Sequence, residues 1–390
     1  MASIRAAVAA VVVDDAEQAA HDAAEQMLDE LGNEPDLVLV FAAGQFAPDK
    51  VLAGLLSRLS PRTQLVGCSS DTEVDSRGAL RHSVEVVGLS LNGIEARTFQ
   101  VPSGENESRG RAAASMLGSA EPNAIVALPD VLESNGTRFL LGLQSSVGKH
   151  VPIVGGAPSV SGDVAKTYTF RNRVCAMGGA AGFALYGPVE VAAGARSGYT
   201  PVGTPKTITK VDQTAILEFD GQPALDGYLE YVGATWNDDV NTTTEFPLGV
   251  IEGPFGMQKQ SDGPVKLVRG VFRMDRERRA LILGGDLPEG AVVRVLRASH
   301  DDVLQGAAEA TQLALDQLAN KPDLALVFSC ISRRAVLGPR FREECRVAFS
   351  KLPTDVPRGG FYTFGELSPL GGATVHHEST FTIALFRAIP

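Results

Sequence analysis

One seven-residue string occurs twice in this chain almost unchanged, and it constrains the fold more than any other feature. Pro35-Asp36-Leu37-Val38-Leu39-Val40-Phe41 returns as Pro322-Asp323-Leu324-Ala325-Leu326-Val327-Phe328. Short apolar runs of this kind read as strands buried on both faces. Each is followed by a proline and then by apolar residues at helical spacing. After Pro48 come Val51, Leu52, Leu55, Leu56 and Leu59; after Pro339 come Phe341, Cys345, Ala348 and Phe349. Proline suits a helix start, because its missing N–H would have no helical partner there. Both helices lead to a second short strand, near residues 65–73 and 359–366, in which a glutamate stands six residues after a glycine. A third strand follows at 84–91 and at 381–386. A weaker middle copy places strands at 124–128, 152–157 and 176–185, with Phe139, Leu140, Leu143 and Val147 marking its helix. A strand and helix precede the outer copies, at 6–13 with 16–31 and at 292–297 with 303–318. The repeat therefore predicts an α/β chain built from duplicated strand-helix-strand-strand units. Its crossovers make the flanking strands parallel.

The stretch from 189 to 290 departs from this pattern. Hairpin-like strands at 207–210 and 215–219, a helix near 223–231 and a second hairpin at 265–283 are expected there. The chain of 390 residues exceeds one ordinary core, so two lobes of mixed sheets are expected. The Gly- and Pro-rich stretch 194–205 puts their boundary between residues 1–196 and 197–390.

Composition excludes several function classes. The net charge of -11 opposes nucleic acid and anionic membrane as partners. The densest basic cluster, Arg276, Arg278 and Arg279, is interleaved with Asp275 and Glu277. No run approaches the roughly 20 apolar residues that span a bilayer. Residues 6–13 follow Arg5 but lead into Asp14 and Asp15, so they read as a first strand and not as a signal peptide. Cys68, Cys175, Cys330 and Cys345 show neither a C-x-x-C pair nor zinc spacing, as expected of reduced thiols in a cytoplasmic protein.

An ordered set of short motifs spans nearly the whole chain. In the first half they are Gly67, Cys68, Ser69 and Glu73, then Gly155-Gly156-Ala157, then Ser197-Gly198-Tyr199-Thr200-Pro201-Val202-Gly203. In the second half they are Phe219-Asp220-Gly221-Gln222-Pro223-Ala224-Leu225, Phe246-Pro247-Leu248-Gly249, Phe328-Ser329-Cys330 with Arg333, Gly360-Phe361-Tyr362-Thr363-Phe364-Gly365-Glu366, and His377-Glu378-Ser379-Thr380. Together they resemble the N-terminal and C-terminal domains of the FIST family. Glu378 departs from it, standing where the family usually has Asn. The resemblance implies a stand-alone sensory domain for small ligands such as amino acids. Such a domain would signal through another protein such as a histidine kinase.

Ligands of open α/β sheets sit at the carboxyl ends of parallel strands. That rule and the resemblance converge on Cys68, Ser69, Glu73, Gly155, Gly156, Cys330, Arg333, Phe361, Tyr362, Glu366, His377 and Thr380. Gly155 and Gly156 would let backbone N–H groups approach an anionic group. Arg333 would hold a carboxylate and Glu366 or Glu73 an ammonium. No cofactor is expected. The resemblance also implies an alternative, a haem-binding nitric-oxide sensor with His377 as axial ligand. A third reading makes Cys330 or Ser329 a nucleophile, with His377 as base and Glu366 or Glu378 orienting it. Against catalysis stand the absence of a G-x-S-x-G elbow and of any local cysteine-protease signature.

Overall fold

A computed structural model describes residues 1–132, 135–160, 166–233, 244–253 and 265–389. It confirms a mixed α/β protein, and the repeat is visible in the sheet topology. Three six-stranded sheets share one plan. In the first, Ser3–Val12 and then Ser83–Asn92 stand beside Leu37–Ala43, which runs parallel to Gln64–Ser70. In the second, Glu95–Val101 and Ala180–Tyr186 stand beside Ala124–Pro129, parallel to Ile153–Gly156. In the third, Val189–Arg196 and Phe381–Ala388 stand beside Leu324–Cys330, parallel to Arg358–Thr363. The two PDL strands thus occupy the same place in sheets of the same order.

Each sheet is completed by a hairpin from a different unit. The hairpin Glu73–Asp75 with Gly78–Leu80, from the first unit, extends the third sheet. The hairpin Tyr168–Arg171 with Val174–Met177, from the middle unit, extends the first. The hairpin Glu366–Leu370 with Ala373–His377, from the last unit, extends the second. The exchange is cyclic, so it interlocks all three units.

A glycine marks the same position in each unit. Gly67, Gly155 and Gly360 pair with Val40, Ala127 and Val327 on the neighbouring parallel strand. A Cβ on each would come within 1.9, 2.1 and 2.0 Å of that partner's carbonyl oxygen. Only glycine permits this approach. The chain ends of these strands then bond to one another. Ser159 N–H donates to Ser69 O at 3.1 Å, Tyr362 N–H to Thr72 O at 2.8 Å, and Ala157 N–H to Gly365 O at 2.7 Å.

Several sequence-based boundaries need correction, and the expected strands at 65–73, 176–185 and 359–366 each break into two that belong to different sheets. The strand preceding the last copy in its own sheet is Val189–Arg196, not the strand at 292–297. Val292–Arg297 belongs instead to a nine-stranded sheet inserted between Val189–Arg196 and the helix His300–Leu315. The insertion separates that strand from its helix, which hid their partnership. The second expected hairpin is shorter than its sequence span. Val271–Asp275 pairs with Ala280–Leu283, while Leu267–Arg269 pairs with Leu248–Glu252.

Candidate functional site at the ends of the third sheet

The strand Leu324–Cys330 runs directly into the short helix Ile331–Leu337. Beside it, Arg358–Thr363 ends in the turn that carries Phe364 toward the exchanged hairpin Glu366–Leu370. A cavity of about 320 Å³ opens where these elements end. Cys330, Arg334, Phe364, Glu378 and Ser379 line it, with Phe272 from the inserted sheet on its far wall. This is the edge at which the topology of parallel strands leaves room for a ligand.

Among the twelve expected site residues, Cys330 alone lines the cavity. The others lie buried nearby or at the related ends of the other units, and the protein itself occupies their polar atoms. Arg333 is fully buried. Its Nε donates to Glu344 Oε1 at 2.8 Å, its Nη2 to Val303 O at 2.7 Å, and its Nη1 to Ser197 O. Glu344 also accepts from Ser329 at 2.7 Å and from the Tyr362 hydroxyl at 2.8 Å. The guanidinium expected to hold a carboxylate is therefore part of an internal network. Phe361 stacks on Phe41 at 4.6 Å between ring centroids, in the core. Cys68 is in the same core, and Ser69 accepts from Tyr168 N–H at 3.2 Å. Gly155 and Gly156 are buried in the second sheet, where Gly156 pairs with Glu366 and Gly155 with Leu367.

Glu73 and Glu366 are equivalent in the repeat and equally enclosed. Glu73 accepts from Ser70, and from Ser83 Oγ at 2.5 Å. Burial pushes its carboxyl up to about 7. Glu366 accepts from Thr363 at 2.7 Å and from Thr380 N–H at 3.3 Å, and burial raises it well above the carboxylate range. Burial likewise pushes the Cys330 thiol up, and the neighbouring Glu366 adds to the effect. Thr380 bonds Glu378 O at 2.9 Å through its hydroxyl.

His376 and His377 point to opposite faces, as adjacent residues of a strand do. His376 Nδ1 lies 3.3 Å from Thr137 Oγ1 and His377 Nε2 lies 3.2 Å from Ser368 O. Both rings are buried, and burial holds both near 3, so they are neutral. His377 does not line the cavity. It is sealed in the core with Nε2 on the Ser368 carbonyl, which does not fit an axial haem ligand.

Two charged residues outside the twelve, Arg334 and Glu378, also line the cavity. Arg334 lies one position along the helix from Arg333. Its Nε lies 2.9 Å from Asp71 Oδ2 and its Nη2 donates to Asp71 Oδ1 at 3.1 Å. Among the described residues its Nη1 has no hydrogen-bond partner. Glu378 Oε2 accepts from Gly270 N–H at 2.6 Å, while its Oε1 is sealed from solvent and, among the described residues, accepts no hydrogen bond. Burial raises this carboxyl, and Arg269 opposes that rise. The signal for Glu378 was present in sequence: it stands where the resembling family has Asn.

The chain is thus a mixed α/β protein with a cavity at the end of its third sheet. The FIST N domain model matches residues 36–222 and the FIST C domain model residues 224–369, so the chain belongs to the FIST family. FIST domains are a family of sensory domains. An uncharacterised protein of Mycobacterium bovis is 25% identical over 391 residues, covering 98% of this chain and 99% of its own. A Mycobacterium tuberculosis relative is 25% identical over 392 residues, covering 98% and 100%. Among solved structures, a cyanuric acid hydrolase from A. caulinodans aligns with a TM-score of 0.32 at 8% identity, covering 99% of this chain and 100% of that one. A second cyanuric acid hydrolase reaches 0.35 at 9%, with the same coverage. Overlaps this loose have no bearing on the site. None of the described helices is long and apolar enough to cross a membrane.

Proposed function

We propose that this FIST protein is a cytoplasmic sensor that binds a small zwitterionic metabolite, such as an amino acid, without converting it. It passes the signal to a partner protein such as a histidine kinase. The observation that supports this is the cavity at the strand ends. Its walls include Phe272 and Phe364, and the Arg334 guanidinium keeps one nitrogen free beside them. A carboxylate would take that nitrogen in a charge-assisted bond, and apolar atoms would fill the rest. Glu73, Arg333 and Glu366, first expected to hold the ligand, hold the scaffold instead.

The reading against turnover rests on Cys330. A nucleophilic cysteine needs thiolate character, and both burial and Glu366 oppose it here. A thermal-shift screen of amino acids tests the proposal. A ligand at a hundredfold excess over Kd adds roughly 2.7 kcal/mol to the native state. Arg334→Ala is expected to remove the shift and Arg333→Lys to keep it in the folded fraction. A hydrolytic activity lost on Cys330→Ser would overturn the sensor reading. A Soret band in the purified protein would replace it with haem.

A further inference from the structure

Beneath the cavity lies a second group of polar atoms that the protein leaves unpaired. Arg269 is fully buried at the end of the strand Leu267–Arg269. Its Nη1 donates to His376 O at 2.8 Å and to Val268 O at 3.2 Å. Among the described residues its Nε and Nη2, the edge that can donate two parallel bonds, have no hydrogen-bond partner. Glu378 Oε1 has none either. A buried donor or acceptor left unpaired costs about 1–3 kcal/mol, so three around one spot point to an occupant.

Two consecutive glycines bring these atoms together. A Cβ on Gly285 would come 2.9 Å from Glu378 Oε1 and 3.1 Å from Arg269 Nε. A Cβ on Gly284 would come 2.8 Å from the same Oε1 and 2.3 Å from the edge of the Phe272 ring. Neither position has room for a side chain, so only glycines let Arg269, Glu378 and the Phe272 ring come this close. Phe272 packs over Gly284, lines the cavity and is largely exposed, so an outward turn of its ring would open this spot to the cavity. The pattern on offer is two donors from Arg269 beside one acceptor on Glu378. A group with a carbonyl oxygen next to an N–H matches it. A carboxylate matches only the Arg269 half and would face the Glu378 carboxylate.

The geometry points to a subsite for a terminal carboxamide or ureido group, held by Arg269 and Glu378 under Phe272. This rests on the sensor reading above and narrows it. With its carboxylate on Arg334, the favoured ligand is an amino acid whose side chain ends in such a group. Arg269 and Glu378 balance each other's charge, so a neutral group enters without leaving a net charge buried.

Calorimetric titration of the full chain with L-glutamine, L-citrulline, L-glutamate and L-methionine tests the inference. Glutamine and citrulline are expected to bind at least about 100-fold more tightly than methionine, because a site built to hydrogen-bond a group rejects an analogue without it. Glutamate is expected to be rejected as strongly. In Glu378→Gln the acceptor becomes a donor, so the preference should turn from glutamine to glutamate. A merely structural role for Glu378 would not reverse a preference. Equal affinity for glutamine, glutamate and methionine overturns this inference and leaves the sensor reading standing. No binding by any of the four overturns the inference, and if the wider amino-acid screen is also empty, the sensor reading falls with it. Should Glu378→Gln not fold, the wild-type ranking decides alone.

Discussion

Replacing Glu73 by Gln should make the protein markedly less sensitive to pH between 4.5 and 8. Glu73 is fully buried, and its hydrogen bonds from Ser70 and Ser83 do not offset the loss of water. Its carboxyl is raised from 4.5 to about 7. A group whose folded value lies above its unfolded value favours the folded state in its protonated form. Its contribution is fully present below pH 4.5 and is lost as the pH rises through 7. At about 1.36 kcal/mol per unit, a rise of this size amounts to about 3 kcal/mol. Glutamine keeps the shape and the neutral state. Urea denaturation of both proteins at pH 4.5, 6, 7 and 8 measures the difference directly. The stability of Glu73→Gln relative to wild type should rise by about 3 kcal/mol across the series. Other buried groups titrate too, and His376 and His377, held near 3, act in the opposite sense as the pH falls below 6.5. Those contributions are common to both proteins and cancel in the difference. Parallel curves for the two proteins would refute the argument.

Removing one partner of the buried Arg333–Glu344 pair, as in Arg333→Ala, should cost about 3–5 kcal/mol in chemical denaturation, because the other charge is left buried and alone. Gly67→Ala should destabilise by about 1–3 kcal/mol through its collision with the Val40 carbonyl, and Gly155→Ala and Gly360→Ala should do so at least as much, their φ values being +139°. An unchanged melting temperature in any of the three would contradict the shared role assigned to these glycines. Iodoacetamide at pH 7.5 should label Cys175, the one cysteine that is not buried, before Cys68, Cys330 or Cys345, as mass spectrometry can follow. Early labelling of Cys330 would favour the nucleophile over the sensor.

The sequence carried the fold well, because its repeat is literal. PDL strands, proline-initiated helices and the glycine before each second strand all recur at the same steps. What it could not carry was the exchange of hairpins. Glu73, Tyr168 and Glu366 each begin a strand that pairs far from its neighbours in the chain, and local pattern says nothing of such partners. Of two adjacent arginines, the sequence reading chose the one that the structure seals. Arg333 and Arg334 differ by about 100° around a helix, so one guanidinium is sealed in the core and the other reaches the cavity. Arg269 was beyond inference, since nothing local marks an arginine at the end of a three-residue strand as unpaired.

The cyclic hairpin exchange also sets an order on synthesis. The first sheet can close only once residues 168–177 exist, and the third only once its own strands meet a hairpin made more than 240 residues earlier. The middle sheet, whose strands begin at Glu95, has its own strands by Tyr186 but waits for residues 366–377. Until then its Ile153–Gly156 edge stands open, and an open edge is a template for pairing with other chains. A chain stopped by a nonsense codon near residue 360 would therefore not yield two sound units and a frayed third. It would emerge with the middle of the molecule unfinished and adhesive, so quality control would meet a wholly misfolded protein even though nine-tenths of it had been made.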